Sequence, residues 1–346
     1  MIKPNRLRPW DTVMTLSLSW WWPWACPDRY LIWKKQLEEE FGVHVLEWKY
    51  TLQSPERVYT HPEARAEDLM SAFKNPEVKA IFSTIWWEES IRILPYIDFN
   101  VIRENPKIFM WFSDSTITHF ICQKVWLLSF YWPSIMAWFA ENGWMFDYMI
   151  TSVKKMLFES HNHLEFLPNS GGWTNEFLSR DNPGNQLKRR ATQKTSWWKW
   201  IQWKGVHVWK LIWGCIDVFP FLQGTSIWPN LDDWKWKILC IETSEEKMPL
   251  IAFERIIRNL WSQWIIRVLS WILLWRSQLN YSTWEQISYE EALDKVINGE
   301  LWLSHLPIIT NMDFWHTDPV HVLPLWCDTE IDCDQQKISF LEVACL

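Results

Sequence analysis

Between Lys107 and His119 an unbroken apolar run, Ile108-Phe-Met-Trp-Phe112, passes directly into the polar residues Ser113-Asp-Ser-Thr116. The apolar run is too short for a helix, and the polar residues are those of a helix first turn. The pattern reads as a buried strand bending sharply into a helix. A serine at that corner is pushed clear of both elements, with its hydroxyl directed to solvent. The backbone N–H of Asp114 then lies at the positive end of the helix. A nucleophilic serine needs this geometry, because an oxyanion formed on attack meets a waiting donor. A serine that only caps the helix fits the same local pattern.

The corner belongs to a series. Residues 12–18 read as a strand, 28–41 as a helix, 43–48 as a strand, and 61–73 as a helix with Leu69 and Phe73 one turn apart. Residues 78–84 form the next strand, and Trp86-Trp87-Glu88-Glu89-Ser90 opens another helix. Strand and helix alternating over short links imply a parallel sheet covered on both faces. Sites in such folds lie at the carboxyl ends of strands, which puts the Trp86-Trp87 turn and the Ser113 corner on one edge.

From 161 to 204 the character changes to polar turns, Asn169-Ser-Gly-Gly172 and Asp181-Asn-Pro-Gly184, which read as a long connecting loop. Its basic run, Lys188-Arg-Arg190, reads as a solvated face. Strands are expected again at 206–212, 238–241 and 308–310, with helices at 249–261 and 289–298, giving a second α/β domain. The division is 1–165, a connecting segment 166–204, and 205–346.

A length of 346 residues suits two domains, and a formal charge of −7 leaves no basic footprint for nucleic acid. The seven cysteines include no C-x-x-C pair, which favours a reducing cytoplasm over a disulfide scaffold or zinc site. Lys3, Arg6 and Arg8 before an apolar stretch resemble a leader, but Asp11, Pro23 and the tryptophans there favour a first buried strand. No uninterrupted apolar segment is long enough to span a membrane. The chain has 32 Trp against only 9 Gly, and several tryptophans stand where turns ask for glycine. No helical or strand period places them on one face, which argues against a stacking surface for sugars or bases.

Two later stretches could complete a site around Ser113. Lys237-Ile-Leu-Cys-Ile-Glu242 delivers a carboxylate at a strand end, and Ile309-Thr-Asn-Met-Asp-Phe-Trp-His316 brings a histidine into a polar loop. A serine hydrolase needs a base in reach of the hydroxyl and a carboxylate to hold that base. His119 and His207 could serve as the base equally well on spacing alone.

The sequence resembles the serine peptidase family that contains the LD-carboxypeptidases and the microcin C immunity proteins. The matching runs are Pro4 to Thr12, Arg65-Ala-Glu-Asp-Leu69 with Ala72-Phe73, Asn75-Pro-Glu-Val-Lys-Ala-Ile81, Ser113-Asp114, Ile241-Glu-Thr-Ser-Glu245 and Asn311-Met-Asp-Phe-Trp-His-Thr-Asp-Pro319. The resemblance implies a flavodoxin-like parallel-sheet N-terminal domain bearing the nucleophile, and a smaller α/β C-terminal domain supplying the other two residues. It implies a triad of Ser113, Glu242 and His316, oxyanion donors from the backbone of Asp114 and Trp87, no metal or cofactor, a cytoplasmic location and a homodimer. Trp173-Thr-Asn-Glu-Phe-Leu178 resembles the insertion of the microcin-immunity branch. Trp173, and Arg180 where that branch has an aromatic, are therefore the candidate substrate contacts.

The family carries glycine where this chain has Trp10, Trp86, Trp87, Trp111, Trp132, Trp203, Trp213 and Trp315. The expected substrate is a peptide- or aminoacyl-nucleotide conjugate, with a murein tetrapeptide as the alternative. Trp87 and Trp111 motivate a third reading, a binding protein on the same scaffold whose oxyanion turn is blocked.

Overall fold

The computed structural model describes residues 1–19, 22–84, 90–133, 135–179, 182–194, 197–202, 205–244, 248–276, 288–314 and 317–346. Five short strands build the first sheet: β1 (Thr12–Leu16), β2 (His44–Glu47), β3 (Val78–Ser83), β4 (Ile108–Trp111) and β5 (Phe130–Tyr131). They lie parallel in the order β5-β4-β3-β1-β2, the doubly wound order of flavodoxin-like folds. β3 and β4 are buried almost throughout, as strands covered on both faces must be. The helices Pro27–Phe41 and Pro62–Lys74 each carry proline in the first turn. There its missing N–H removes no helical bond.

The second sheet contains β6 (Leu164–Phe166), β7 (Lys199–Gln202), β8 (Val206–Cys215), β9 (Ile238–Glu242), β10 (Trp271–Trp275) and β11 (Ile308–Met312). β12 (Leu323–Pro324) instead returns to the first sheet, antiparallel to β5, and β13 (Asp328–Asp332) and β14 (Lys337–Phe340) rejoin the second. The order is β6-β14-β13-β8-β9-β10-β11-β7, with a parallel centre, β8 to β11, and antiparallel flanks. The stretch expected to be a long loop therefore begins and ends in strands. Short edge strands carry too few apolar residues to stand out among polar turns. The buried apolar residues of both sheets form one continuous core.

Among the described residues, ten non-glycine residues adopt left-handed backbone, and seven of them are tryptophan: Trp10, Trp126, Trp132, Trp236, Trp264, Trp302 and Trp326. Of the tryptophans expected at glycine positions, Trp10 and Trp132 are left-handed, while Trp111 and Trp213 are buried in β4 and β8. Trp86, Trp87, Trp203 and Trp315 lie outside the described residues. All seven cysteines are free thiols, and no described helix is long and apolar enough to cross a membrane.

Candidate active site

β4 gives way through the extended Phe112 to Ser113, whose φ is +56°. For a residue with a side chain this backbone costs on the order of 1–2 kcal/mol. It makes the bend into the 3₁₀ turn Ser113–Ser115 and the helix Thr116–Lys124. Ser113 is only 5% exposed, so its hydroxyl is not at the open surface that the local pattern suggested.

The Ser113 N–H donates to Tyr131 Oη at 2.8 Å, and the same phenol donates to Glu242 Oε1 at 2.6 Å. Tyr131 is the register partner of Trp111 on the neighbouring strand, and Glu242 is the fully buried last residue of β9. One phenol thus joins the serine corner of the first sheet to a carboxylate of the second. Burial, reinforced by the Glu242 charge, pushes the phenol well above its ordinary pKa of 10, so it keeps its proton for Glu242. Thr116 Oγ1 lies 3.4 Å from the phenol oxygen and accepts the Cys215 N–H from β8 at 3.0 Å. Sequence reasoning missed Tyr131, because an aromatic within an apolar run carries no polar signal. Its position one strand over from the elbow would have marked it.

Asp114 fastens the corner to the neighbouring turn. Its carboxylate accepts the Ser90 N–H at 2.9 Å and its carbonyl accepts the Ser90 hydroxyl at 2.8 Å. Burial raises the Asp114 carboxyl to about 6, against the opposing pull of hydrogen bonds from Ser19 and Ser90 and the charge of Arg65. Ser90 stands three positions after Trp87 in the sequence. Trp87, Arg180 and His316 all lie outside the described residues.

The two alternative histidines lie in different settings. His119 is buried with Nδ1 2.8 Å from Ser129 Oγ and Nε2 2.9 Å from the Trp111 carbonyl, and burial lowers it to about 4. Both nitrogens are committed to neutral, structural hydrogen bonds. His207 lies on β8 with its ring edge-on to Trp271.

The segment around Trp173 is built into the fold. Trp173 is 4% exposed, its backbone pairs with Gln193, and the Arg276 guanidinium sits 5.5 Å above its ring. It offers an incoming ligand little more than an edge. Arg190, expected on a solvated face, is instead largely buried against Glu141 and Asp318. Two carboxylates in a dry setting hold a guanidinium far better than water-exposed neighbours would. Among the described residues, no cluster of His, Cys, Asp and Glu forms a metal-binding set.

The comparisons with known proteins agree with this geometry. The microcin C7 self-immunity protein MccF of Escherichia coli is 26% identical over 280 residues, covering 80% of this chain and 78% of that protein. A Bacillus subtilis protein named as a probable murein peptide carboxypeptidase is 32% identical over 140 residues, 38% of this chain and 41% of that one. A solved structure of the microcin C7 self-immunity protein MccF in complex with aspartyl sulfamoyl adenosine superposes with a TM-score of 0.88 at 23% identity, over the whole of both chains. Residues 16–131 match the LD-carboxypeptidase N-terminal domain and residues 210–331 match the LD-carboxypeptidase C-terminal domain, so that β2 to β5 with the serine corner and most of the second sheet with Glu242 both fall inside the match. With its two sheets and its buried link from Ser113 to Glu242, the chain belongs to the LD-carboxypeptidase family, the peptidase family to which its MccF-like and carboxypeptidase relatives point.

Proposed function

We propose that the chain is a serine hydrolase that cleaves an amide bond near a free carboxylate. Ser113 attacks the carbonyl, His316 takes the hydroxyl proton and returns it to the leaving amine, and Glu242 holds His316 in the productive tautomer. The backbone N–H groups of Asp114 and Trp87 stabilise the oxyanion. The observation that carries this reading is the left-handed Ser113 at the end of β4, linked through Tyr131 to the buried Glu242. A strained serine beside a buried carboxylate from another sheet is an arrangement that packing alone does not require.

For the substrate we favour an aminoacyl-nucleotide conjugate, which would make the protein a self-immunity or detoxification enzyme of the cytoplasm, working as a homodimer. Its likeness to MccF over 80% of its length supports this choice. Trp173 and Arg180 lie on the segment we assign to the nucleotide side, with Trp173 contributing an edge. The shorter match to a murein peptide carboxypeptidase supports a second reading, release of D-Ala from a murein tetrapeptide.

Mass spectrometry after incubation with each substrate separates the two. Cleaved conjugate is expected, and D-Ala release without conjugate cleavage reverses the order. Ser113→Ala should abolish turnover with the melting temperature unchanged, and undiminished turnover in that variant overturns the nucleophile. A folded parent that no fluorophosphonate labels would instead mark a binding protein.

A further inference from the structure

We propose that the connecting segment is a clamp that sets the position of the His316 loop, with Arg190 and Trp198 as positioning residues. The inference rests on the assignment of His316 as the base. Asp313 and Asp318 flank His316 in the sequence, and the connecting segment holds both. At Asp313, Oδ2 accepts the Asn169 N–H at 3.1 Å and the Trp198 indole N–H at 2.8 Å, while Arg276 pairs with Oδ1 at 2.7 Å. At Asp318, the backbone exchanges two hydrogen bonds with Thr174, 2.8 and 2.9 Å, and the carboxylate pairs with Arg190. Asn169, Thr174, Arg190 and Trp198 all come from the connecting segment.

The other side of the clamp is fixed to the body that carries Ser113. Arg190 Nε donates to Glu141 Oε1 at 2.9 Å, the Gly143 N–H donates to the Gln186 carbonyl at 2.7 Å, and Arg29 donates to Gln186 Oε1 at 3.2 Å. Arg29 lies in the helix Pro27–Phe41, against the first sheet. Arg190 therefore spans Glu141 on the nucleophile's side and Asp318 on the base's side. Burial alone would lower its pKa, but the two carboxylates raise it above the ordinary arginine value, so the guanidinium keeps its charge. A planar guanidinium can hold two carboxylates at once, which a lysine ammonium does less well.

A misplacement of about 1 Å at a reacting group can cost on the order of 10²-fold in rate. The test is the rate at which a fluorophosphonate labels Ser113 as a function of pH, in the parent, Arg190→Lys, Trp198→Phe and His316→Ala. Trp198→Phe removes the indole donor and leaves a smaller aromatic ring in the same place. Both clamp variants should label more slowly across the pH range by about tenfold or more, while a separate circular-dichroism melt stays close to the parent. The double variant should approach His316→Ala. Clamp variants that label at the parental rate, with His316→Ala slow, overturn the clamp and leave the base in place. If His316→Ala itself labels at the parental rate, the assignment of the base falls.

The left-handed tryptophans carry an independent inference. We infer that in the cell that makes this protein the codons behind these tryptophans are read as glycine. Five of the seven (Trp10, Trp126, Trp236, Trp264 and Trp302) are more than half exposed, so burial returns little for the strained backbone, even though Trp236 stacks on Trp209 and Arg267 lies over Trp264. In addition, Trp33, Trp111, Trp213 and Trp234 bury indole N–H groups with no acceptor among the described residues, an expensive state for a polar group. UGA is read as stop, tryptophan or glycine in different genetic codes, so one decoding rule exchanges many sites together. The same rule would make positions 86 and 87 a glycine pair. Tandem mass spectrometry of the peptides spanning positions 126 and 302, from protein isolated from its natural source, decides the matter. Peptides lighter by the mass difference between the two residues are expected, and tryptophan at both positions overturns the inference.

Discussion

Asp114 shows how a single buried carboxyl leaves a signature in the stability of the whole chain. Its pKa rises from 3.8 to about 6 on folding because burial disfavours the charged form. Between those values the folded state holds more proton than the unfolded one, so the contribution of this group to stability falls as pH rises from about 4 to about 6. The difference between 3.8 and about 6 corresponds to about 3 kcal/mol at most. His119 acts in the opposite sense: lowered from 6.5 to about 4 by burial, it stabilises the fold above its unfolded pKa and withdraws that stability as pH falls. The two oppose each other in the parent, so only substitution exposes either. In Asp114→Asn the amide oxygen can still accept the Ser90 N–H. Its stability relative to the parent should rise from pH 4 to pH 7, measured by urea unfolding at each pH. A difference that stays flat with pH would show that Asp114 does not hold its proton in the fold.

At the scale of elements, helix ends show most clearly where tryptophan and backbone disagree. The helix Thr116–Lys124 closes with the Trp126 N–H on the Gln123 carbonyl and the Leu127 N–H on the Cys122 carbonyl. This is a Schellman motif with tryptophan at the left-handed position that glycine normally fills. Trp126→Gly should therefore raise stability by about 1 kcal/mol, read as a higher urea midpoint. Trp271→Gly, inside the buried strand β10, should lower it by about 3 kcal/mol or more through the lost core volume. A lowered midpoint in Trp126→Gly would mean that its exposed ring is stabilising after all. The elements legible in the sequence were those with a bounded apolar run or a clear helical face, so β1 to β4, β8, β9 and β11 fall within a few residues of expectation. β10 was hidden because Trp271-Ile-Leu-Leu-Trp275 follows an equally apolar helix end. β13 alternates polar and apolar residues at a sheet flank and reads as surface. Ser113 and Glu242 were legible because each ends an apolar strand abruptly. Tyr131 and Arg190 were not, since their roles depend on partners 111 and 128 residues away.

Across the whole molecule, the candidate site exists only where the two sheets meet, so its geometry depends on the contacts that hold them in register. Two of these cross directly: Tyr131 to Glu242, and the Cys215 N–H to Thr116 Oγ1 at 3.0 Å. The second comes from the end of β8 to the first turn of the helix that follows Ser113, and both partners are fully buried. Thr116→Val keeps the side-chain shape and removes the acceptor, leaving a buried N–H unpaired at a cost of about 1–3 kcal/mol. Thr15→Val is the matched control, because it removes a buried hydroxyl bond of 2.8 Å to Tyr30 that lies wholly within the first sheet and its helix. The two variants should lose similar stability. Their chemistry should separate: Thr116→Val lets the carboxylate side of the site drift from the serine side, so kcat falls while KM changes little, and Thr15→Val leaves kcat near the parental value. The measurements are the urea midpoint and steady-state kinetics on the conjugate and the murein peptide proposed as substrates. Equal kcat in both variants would mean that the join between the sheets is stiff enough without Thr116, and that Tyr131 and Glu242 hold the site by themselves.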